Sequence, residues 1–319
     1  MPVTRPTDPP PVDHLARPLL ERPGTVRVLL VLGVVAVSFA AILIRVADAP
    51  ALALAFWRSL AGALVLAPFA LRSTDVVDAR QRRDLVLSGV FLAVHFALFI
   101  GAFALTSVAS AVVFVATSPV FVGLGAWLWL GQAPSRRTWA GIGLAVAGAV
   151  VVGVGDAGSG GTGSNPLLGD LMALGGAVAV SGYLLIGQRS RQRLGVATYG
   201  MWVYGTAAAV LAVTSLVAGS ALVGFDAVTW WAILGLIVGP QLLGHTIFNQ
   251  VLNVVPATTV AVVVLSEPVG ASLLALLLLA EVPPPLLAVG GPLILAGVYL
   301  ASTGRRGGGR VRVRPGSQI

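Results

Sequence analysis

Long runs of apolar residues follow one another along the chain, separated by short polar connections. Each run has about the 20 residues that a helix needs to cross a bilayer, and none alternates as a half-buried strand would. A helix also satisfies its backbone hydrogen bonds within one segment, as lipid requires. The pattern therefore predicts an all-α integral membrane protein with ten transmembrane helices. Their predicted bounds are 28–47, 51–71, 85–104, 108–130, 138–155, 169–187, 198–219, 229–252, 257–279 and 285–303.

The composition agrees with a chain whose surface mostly faces lipid. Hydrophobic residues make up 57% of the 319 residues and charged residues 10%, whereas a soluble domain carries about 25% charge. The chain has no cysteine, which excludes disulfides, thiolate metal sites and cysteine nucleophiles. The remaining segments are predicted to be a disordered cytosolic tail at 1–27, a Gly-rich external linker at 156–168 and a basic cytosolic tail at 304–319.

The arginines predict the orientation of the chain in the membrane. All 20 basic residues are Arg. If the N-terminus is cytosolic and ten helices alternate, every arginine except Arg45 and Arg58 falls in a cytosolic segment. Positive residues are enriched on the cytosolic side of membrane proteins. The pattern therefore predicts a multi-pass protein of the cytoplasmic membrane with both termini inside, and it excludes nucleic-acid binding as the reason for the net charge of +8.

The two halves of the sequence resemble each other without gaps when one is shifted by 149 residues. The residues that coincide are Pro119 with Pro268, Gln132 with Glu281, Gly141 with Gly290, and Gly148 with Gly297. Residues 28–155 and 169–303 then form two repeats of five helices each. Because five is odd, the second repeat is predicted to be inverted relative to the first. Inverted repeats with a site between the halves are the architecture of many secondary transporters.

Several motifs resemble the EamA family of the drug/metabolite transporter superfamily. They are AFWRSLAGALVL in the second helix, TSP and SEP in the fourth and ninth, LGQAPS and LAEVPP at the ends of those helices, and the Gly-rich GIGLAVAGAVVVG and GGPLILAGVYLAS. The resemblance covers about 28–303. It departs from the family pattern at Gln132, where Glu is usual, and in the second repeat, which has no match for Arg58. The resemblance implies export or exchange of small metabolites, such as amino acids or drugs. We predict that the protein uses no cofactor.

Two charged residues lie inside predicted helices. Glu267 is the only carboxylate deep within a helix, near the midplane of the ninth. A charge at that depth is expected to face the bundle interior. Glu267 is either a coupling site for a proton or cation, or a neutral carboxyl that bonds backbone freed by Pro268. Arg58 lies about two turns from the outer end of the second helix. It either binds an anionic group of the substrate, pairs with Glu267, or extends to the membrane surface.

Further polar residues fall at similar depths. His95 and His245 occupy nearly equivalent places in the two repeats, and they are either proton carriers or interhelical hydrogen-bond donors. Gln241, His245 and Asn249 recur every four residues, so they form a polar stripe on the eighth helix that is predicted to line a cavity. Pro119 and Pro268 interrupt the fourth and ninth helices, either as kinks that allow gating or to shape the bundle.

Alternatives to transport remain open at this point. No HExxH, GxSG or GxxxxGKS motif is present, so zinc or serine protease chemistry and ATP-driven transport are not predicted. The GxGD at Gly153–Asp156 resembles intramembrane aspartyl proteases, but that chemistry needs two facing carboxylates. A non-transporting sensor or scaffold is the other alternative. We predict a secondary transporter, not an enzyme, that moves a small polar or amphipathic metabolite outward by alternating access, binds no metal, and is a monomer or homodimer.

Overall fold

A computed structural model describes residues 20, 22–106, 108–157, 164–279 and 285–303, and these residues form helices and no strand. The helices of the first half are α1 Pro23–Val46, α2 Ala51–Leu71, α3 Ala79–Ala102, α4 Val108–Val115, α5 Ser118–Leu130 and α6 Arg136–Ala157. Those of the second half are α7 Pro166–Ser190, α8 Val196–Val217, α9 Ala227–Leu236, a π-helical segment Ile237–His245, α10 Thr246–Val251, α11 Ala257–Val264, α12 Glu267–Leu279 and α13 Leu287–Ser302.

The helices make this a multi-pass membrane protein. Within the described ranges, eight helical stretches are long and apolar enough to cross a membrane. The helix α6 is not among these eight, and the apolar α13, with 16 residues, is shorter. The total of ten transmembrane helices therefore stays a prediction.

Some predicted boundaries shift, and others lie outside the described residues. The helix α1 begins at Pro23, so residues 23–27 of the predicted tail are helical rather than disordered. The helix α6 extends to Ala157 and α7 begins at Pro166, which leaves 158–163 of the predicted linker outside the described ranges. Residues 1–19, the tail from 304 onward, and Glu281 also lie outside them.

The predicted fourth and ninth helices are each broken into two. Turns at 116–117 and 265–266 separate α4 from α5 and α11 from α12. Pro119 and Pro268 are the second residues of α5 and α12. A proline lacks an N–H, and the first turn of a helix is where that loss costs least. The breaks thus occur at equivalent points of the two halves, and a role of these prolines in gating stays a prediction.

The predicted eighth helix differs from its counterpart α3 by the π-helical segment. Asp78 and Asp226 cap the two helices in the same way, because each carboxylate accepts the backbone N–H three residues later. Hydrogen bonds from Thr229 also lower the pKa of Asp226. These caps lie 148 residues apart, whereas Pro119 and Pro268 lie 149 apart. A π bulge adds one residue to a helix, so the segment Ile237–His245 accounts for the difference.

The helices α6 and α13 cross in close contact between the two halves. A Cβ added at Gly141 would lie 2.6 Å from the carbonyl oxygen of Gly297, and one at Gly148 would lie 2.7 Å from that of Gly290. The shift of 149 residues exchanges these two contacts, so the crossing has the symmetry of the repeat. Gly143, on another face of α6, has no atom within 4 Å of its Cβ position. The face of α6 that carries Gly141 and Gly148 therefore packs within the chain.

Candidate functional site

A cavity of about 90 Å³ lies in the middle of the bundle, where both halves contribute helices. Its polar lining includes Arg58, His95, His245 and Glu267, which are four of the six residues predicted to line it. Its apolar lining includes Phe96, Phe99, Tyr183, Phe248 and aliphatic residues of α1 and α11. Gln241 and Asn249 do not line the cavity, and both are fully buried behind its wall. The predicted polar stripe is therefore divided between the cavity and a layer behind it.

Arg58 is held on two sides. Its Nε donates a 2.9 Å hydrogen bond to Oε1 of Gln241, and its guanidinium lies 4.3 Å from the centre of the Phe96 ring. The side chain is 4% exposed. A guanidinium over an aromatic face is attracted by the ring quadrupole, more strongly when water is excluded. Arg58 therefore does not extend to the membrane surface, and its cation belongs to the cavity.

Glu267 is the first residue of α12, directly after the break in the ninth predicted helix. The N-terminal turn of a helix favours a carboxylate because of its unpaired N–H groups. The hydroxyl of Ser38 in α1 donates to the Glu267 backbone carbonyl at 3.3 Å. Among the described residues, no ion pair joins the Glu267 carboxyl to Arg58, and no hydrogen bond joins it to backbone near Pro268. The carboxyl and the guanidinium thus face one cavity without neutralising each other directly.

The two histidines pack against aromatic rings of the cavity wall. His95 Nδ1 lies 3.0 Å from the carbonyl oxygen of Gly176, so it carries the proton of the neutral ring. The His95 ring stacks on Phe99 with centroids 5.7 Å apart. His245 meets the Phe96 ring edge-on at 5.4 Å. The structure therefore brings both histidines to the same cavity, as their equivalent positions indicated, and a role in proton transfer stays a prediction.

A hydrogen-bonded chain of side chains runs from Tyr183 in the cavity wall into the layer behind it. The hydroxyl of Tyr183 donates to Asn249 Oδ1 at 2.6 Å, and Asn249 Nδ2 donates to the Tyr204 hydroxyl at 3.0 Å. The Tyr204 hydroxyl lies 3.2 Å from Oγ1 of Thr246. Sequence reasoning missed both tyrosines, because a Tyr within an apolar run has the same pattern as a core aromatic residue.

A second compartment of about 660 Å³ opens at the end of the bundle that the arginines predict to be cytosolic. We call it the vestibule. It is lined mostly by polar residues at the ends of α5, α7 and α10 and the start of α3, and it shares no lining residue with the cavity. Leu184 lines the cavity and Gln188 lines the vestibule. Four residues along one helix are about 6 Å, so only a thin layer separates the two compartments.

Gln188 joins three helices within that layer. Its Nε2 donates to Oε1 of Gln132, just after α5, at 2.8 Å, and its Oε1 accepts from the backbone N–H of Ala257, the first residue of α11, at 2.7 Å. The N–H groups of a first helical turn lack partners within the helix, so Gln188 caps α11. The amide therefore connects the two broken helices through α7.

Arg191 strengthens the same end of the bundle. It was counted with the cytosolic arginines that set topology, but its side chain is only 1% exposed. Its Nε donates to the backbone carbonyl of Asn249 at 3.0 Å, its Nη2 donates to Gln250 at 3.1 Å, and its Nη1 donates to the carbonyl of Leu194. Arg191 thus joins the end of α7 to α10 in addition to its place in the charge pattern.

Comparison with known proteins decides the family. A profile of the EamA-like transporter family matches residues 25–154 and again 167–303, which together include nearly all of the described chain. The chain belongs to the EamA-like transporter family. The resemblance found in the motifs is therefore confirmed, and the protein is a membrane transporter of the drug/metabolite type. Membership of this family fits a protein that is not an enzyme, and it favours neither the protease nor the sensor alternative.

Solved structures support the fold of this transporter. One crystal structure, described only as that of a protein, is 20% identical to the chain with a TM-score of 0.72. The match covers 88% of this chain and 96% of the other. No curated protein matches the sequence. Gly153–Asp156, the candidate protease motif, lies in α6, and the Asp156 side chain is outside the described residues.

Proposed function

We propose that this EamA-like protein is a secondary transporter that exports or exchanges a small amphipathic metabolite by alternating access. In this proposal ten transmembrane helices form two inverted repeats in the cytoplasmic membrane, with both termini in the cytosol. The observation that carries it is the central cavity, where Arg58 and Glu267 face one space inside an apolar bundle. Ionisable groups are costly within a membrane and mark substrate or ion pathways.

The lining of the cavity favours a substrate with an apolar body and charged ends. The guanidinium of Arg58 suits a carboxylate, the carboxyl of Glu267 suits an ammonium or a proton, and Phe96 and Phe99 offer aromatic surface. An amino acid or a drug-like amphipathic compound has this chemistry. The cavity volume of about 90 Å³ is smaller than the roughly 300–1,000 Å³ of most ligand sites, so the cavity must widen to admit such a substrate.

Alternating access requires that the cavity open to one side at a time. In this conformation the layer around Gln188 lies between the cavity and the vestibule. Opening that layer would join the two compartments. The repeat symmetry supports a second conformation of similar energy, with an equivalent barrier near the other face. The crossing of α6 and α13, held by backbone contacts, would be the part that moves least.

A gradient drives transport in this proposal, because the chain has no nucleotide-binding motif. Glu267 is the candidate coupling residue, since it is a membrane-embedded carboxyl in the cavity near Arg58. It would take up a proton when the cavity opens to one side and release it when the cavity opens to the other. The shared electrostatic environment of Glu267 and Arg58 would make substrate binding and protonation depend on each other.

A metabolite profile of cells tests the proposal. Cells that overexpress the wild type are compared with cells that express Glu267→Gln or Asp48→Asn at matched levels, and the medium and cytosol are analysed. Asp48 is an exposed carboxylate outside the cavity, so Asp48→Asn controls for loss of a charge. We expect one compound class to accumulate outside with the wild type and Asp48→Asn, but not with Glu267→Gln.

Other outcomes separate the parts of the proposal. Equal export by all three proteins, with the same pH dependence, would mean that the chain transports but Glu267 does not couple. Accumulation inside the cells would reverse the proposed direction. No change in any metabolite would contradict transport of a cellular metabolite and favour a sensing role.

A further inference from the structure

The environment of Gln241 assigns it a role that its sequence pattern did not predict. It was predicted to line the cavity, but its side chain is fully buried behind Arg58 and does not line the cavity. Its Oε1 accepts the Nε–H of Arg58 at 2.9 Å. Because that bond needs an acceptor, the orientation of the Gln241 amide is fixed. Gln241 therefore contacts the arginine without lining the cavity.

The contacts of Arg58 leave part of its guanidinium directed to the cavity. Nε is used by Gln241, and the guanidinium lies against Phe96. The two terminal nitrogens make no hydrogen bond to another described residue, and Arg58 is part of the cavity lining. Paired terminal N–H groups of Arg bind a carboxylate through two parallel hydrogen bonds. Because Nε is bonded to Gln241 and the guanidinium lies against Phe96, the terminal N–H groups of Arg58 keep one direction.

Thr246 holds the backbone of Gln241, whereas Nε2 of the Gln241 amide is buried and has no hydrogen-bond partner among the described residues. The backbone N–H and the hydroxyl of Thr246 both donate to the backbone carbonyl oxygen of Gln241, the hydroxyl at 3.2 Å. Because the Thr246 proton is used there, its oxygen accepts from Tyr204, which in turn accepts from Asn249. Gly62, one turn after Arg58, leaves the necessary space, because a Cβ there would lie 3.0 Å from Gln241 Cγ.

The hydrogen-bonded pair of Arg58 and Gln241 also breaks the symmetry between the two halves. Gln241 lies in the π-helical segment, whereas the counterpart helix α3 is continuous. The helix α8, the counterpart of α2, contains no Arg. A symmetric scaffold needs neither the extra residue nor the pair. π bulges are frequent at functional sites, so the asymmetry indicates that this pair serves binding rather than the fold.

We propose that Gln241 is a positioning residue that orients the guanidinium of Arg58 in the cavity to receive the carboxylate of the substrate. This inference rests on the proposed transport of a small amphipathic metabolite through the same cavity. It adds that the preference for a substrate carboxylate depends on a residue that never touches the substrate. Replacing the Gln241 amide by a carboxylate would pair Arg58 internally and remove that preference.

The test compares ligands that differ only in the carboxylate. Purified protein in detergent is titrated with L-leucine or L-phenylalanine and with the corresponding amides, and the concentration that half-maximally raises the melting temperature is measured. The variants are Gln241→Glu, Gln241→Met and the control Asn165→Asp, which makes the same amide-to-acid change at an exposed helix cap. Gln241→Met serves as the second variant if Gln241→Glu does not fold.

We expect the wild type and Asn165→Asp to bind the carboxylates more tightly than the amides. In Gln241→Glu this ratio should fall about tenfold, the effect of losing one charge-assisted hydrogen bond, and in Gln241→Met by less. A merely structural role would weaken both ligand types alike and leave the ratio unchanged, which would overturn the inference while transport stands. Equal binding of carboxylates and amides by the wild type would also overturn it. No binding of either amino acid would contradict both the inference and the proposed amino-acid substrate.

Discussion

Replacing Gln188 by Met removes the amide that joins three helices between the cavity and the vestibule, while it keeps the size of the side chain. The bonds lost are those to Gln132 at 2.8 Å and to the N–H of Ala257 at 2.7 Å. We expect the variant to favour the conformation in which the cavity opens to the vestibule. No other described residue donates to Gln132 Oε1 or accepts from that N–H. The variant therefore loses both hydrogen bonds without a replacement from another described residue.

The size of the effect follows from these two bonds. A hydrogen bond contributes about 1 kcal/mol net, because water replaces it when it breaks. Two bonds therefore correspond to about 2 kcal/mol, and vestibule water that solvates Gln132 in the opened state reduces this figure. The population that is open to the vestibule should rise by about 5- to 30-fold, the range that one or two kcal/mol covers.

The absence of native cysteine makes the assay direct. Ser118, which lines the cavity and is 8% exposed, is replaced by Cys. Its modification by a membrane-impermeant thiol reagent is then timed in inside-out and right-side-out vesicles. Gln192→Met is the matched control, because Gln192 donates to the carbonyl of Asn253 and not to Gln132 or α11.

We expect Gln188→Met to accelerate labelling from the cytosolic side, and Gln192→Met to leave it unchanged. Folded Gln188→Met protein with the labelling rate of the parent would refute the reasoning that these bonds hold the barrier. Acceleration from the external side only would keep the barrier but reverse the predicted orientation.

Two further predictions concern the scaffold and the topology. Gly148→Ala should lower the melting temperature, because its Cβ would lie 2.7 Å from the Gly290 carbonyl oxygen. Overpacking of this kind lowers the free energy of unfolding by about 1–3 kcal/mol. Gly143→Ala, where nothing lies within 4 Å, should not lower the melting temperature; equal melting of both variants in detergent would contradict the close crossing. A reporter inserted in 158–163 should be external, and a cytosolic reporter would overturn the inverted-repeat topology.

The sequence predicted much of the fold because lipid leaves few alternatives. Runs of apolar residues of spanning length must be helical, and the matching of Pro119 with Pro268 showed where both halves break. The π-helical segment could not be predicted, because it results from one extra residue in a helix packed against its neighbours. Its only sign in the sequence is that the spacing between the two capping Asp residues is one residue shorter than the spacing between the two prolines.

Four of the six predicted site residues line the cavity, because a polar side chain in an apolar helix must face protein or water. The sequence could not predict which of these side chains face the cavity and which face other protein groups. Gln241 and Asn249 share a stripe with His245, but packing places them behind the wall. Tyr183 was missed because the hydrogen-bond partner of its hydroxyl, Asn249, lies 66 residues away in the sequence.

By itself the sequence determined that the chain spans the membrane in two related halves, which residues break its helices, and that Glu267 lies inside the bundle. These follow from the cost of exposing backbone or charge to lipid, which acts on each residue where it stands. Only the tertiary structure decided that Arg58 faces the cavity with Gln241 behind it, and that Gln188 rather than a charged residue separates cavity from vestibule. Those arrangements depend on contacts between distant helices, and their geometry is set by how glycines such as Gly62 let the helices approach.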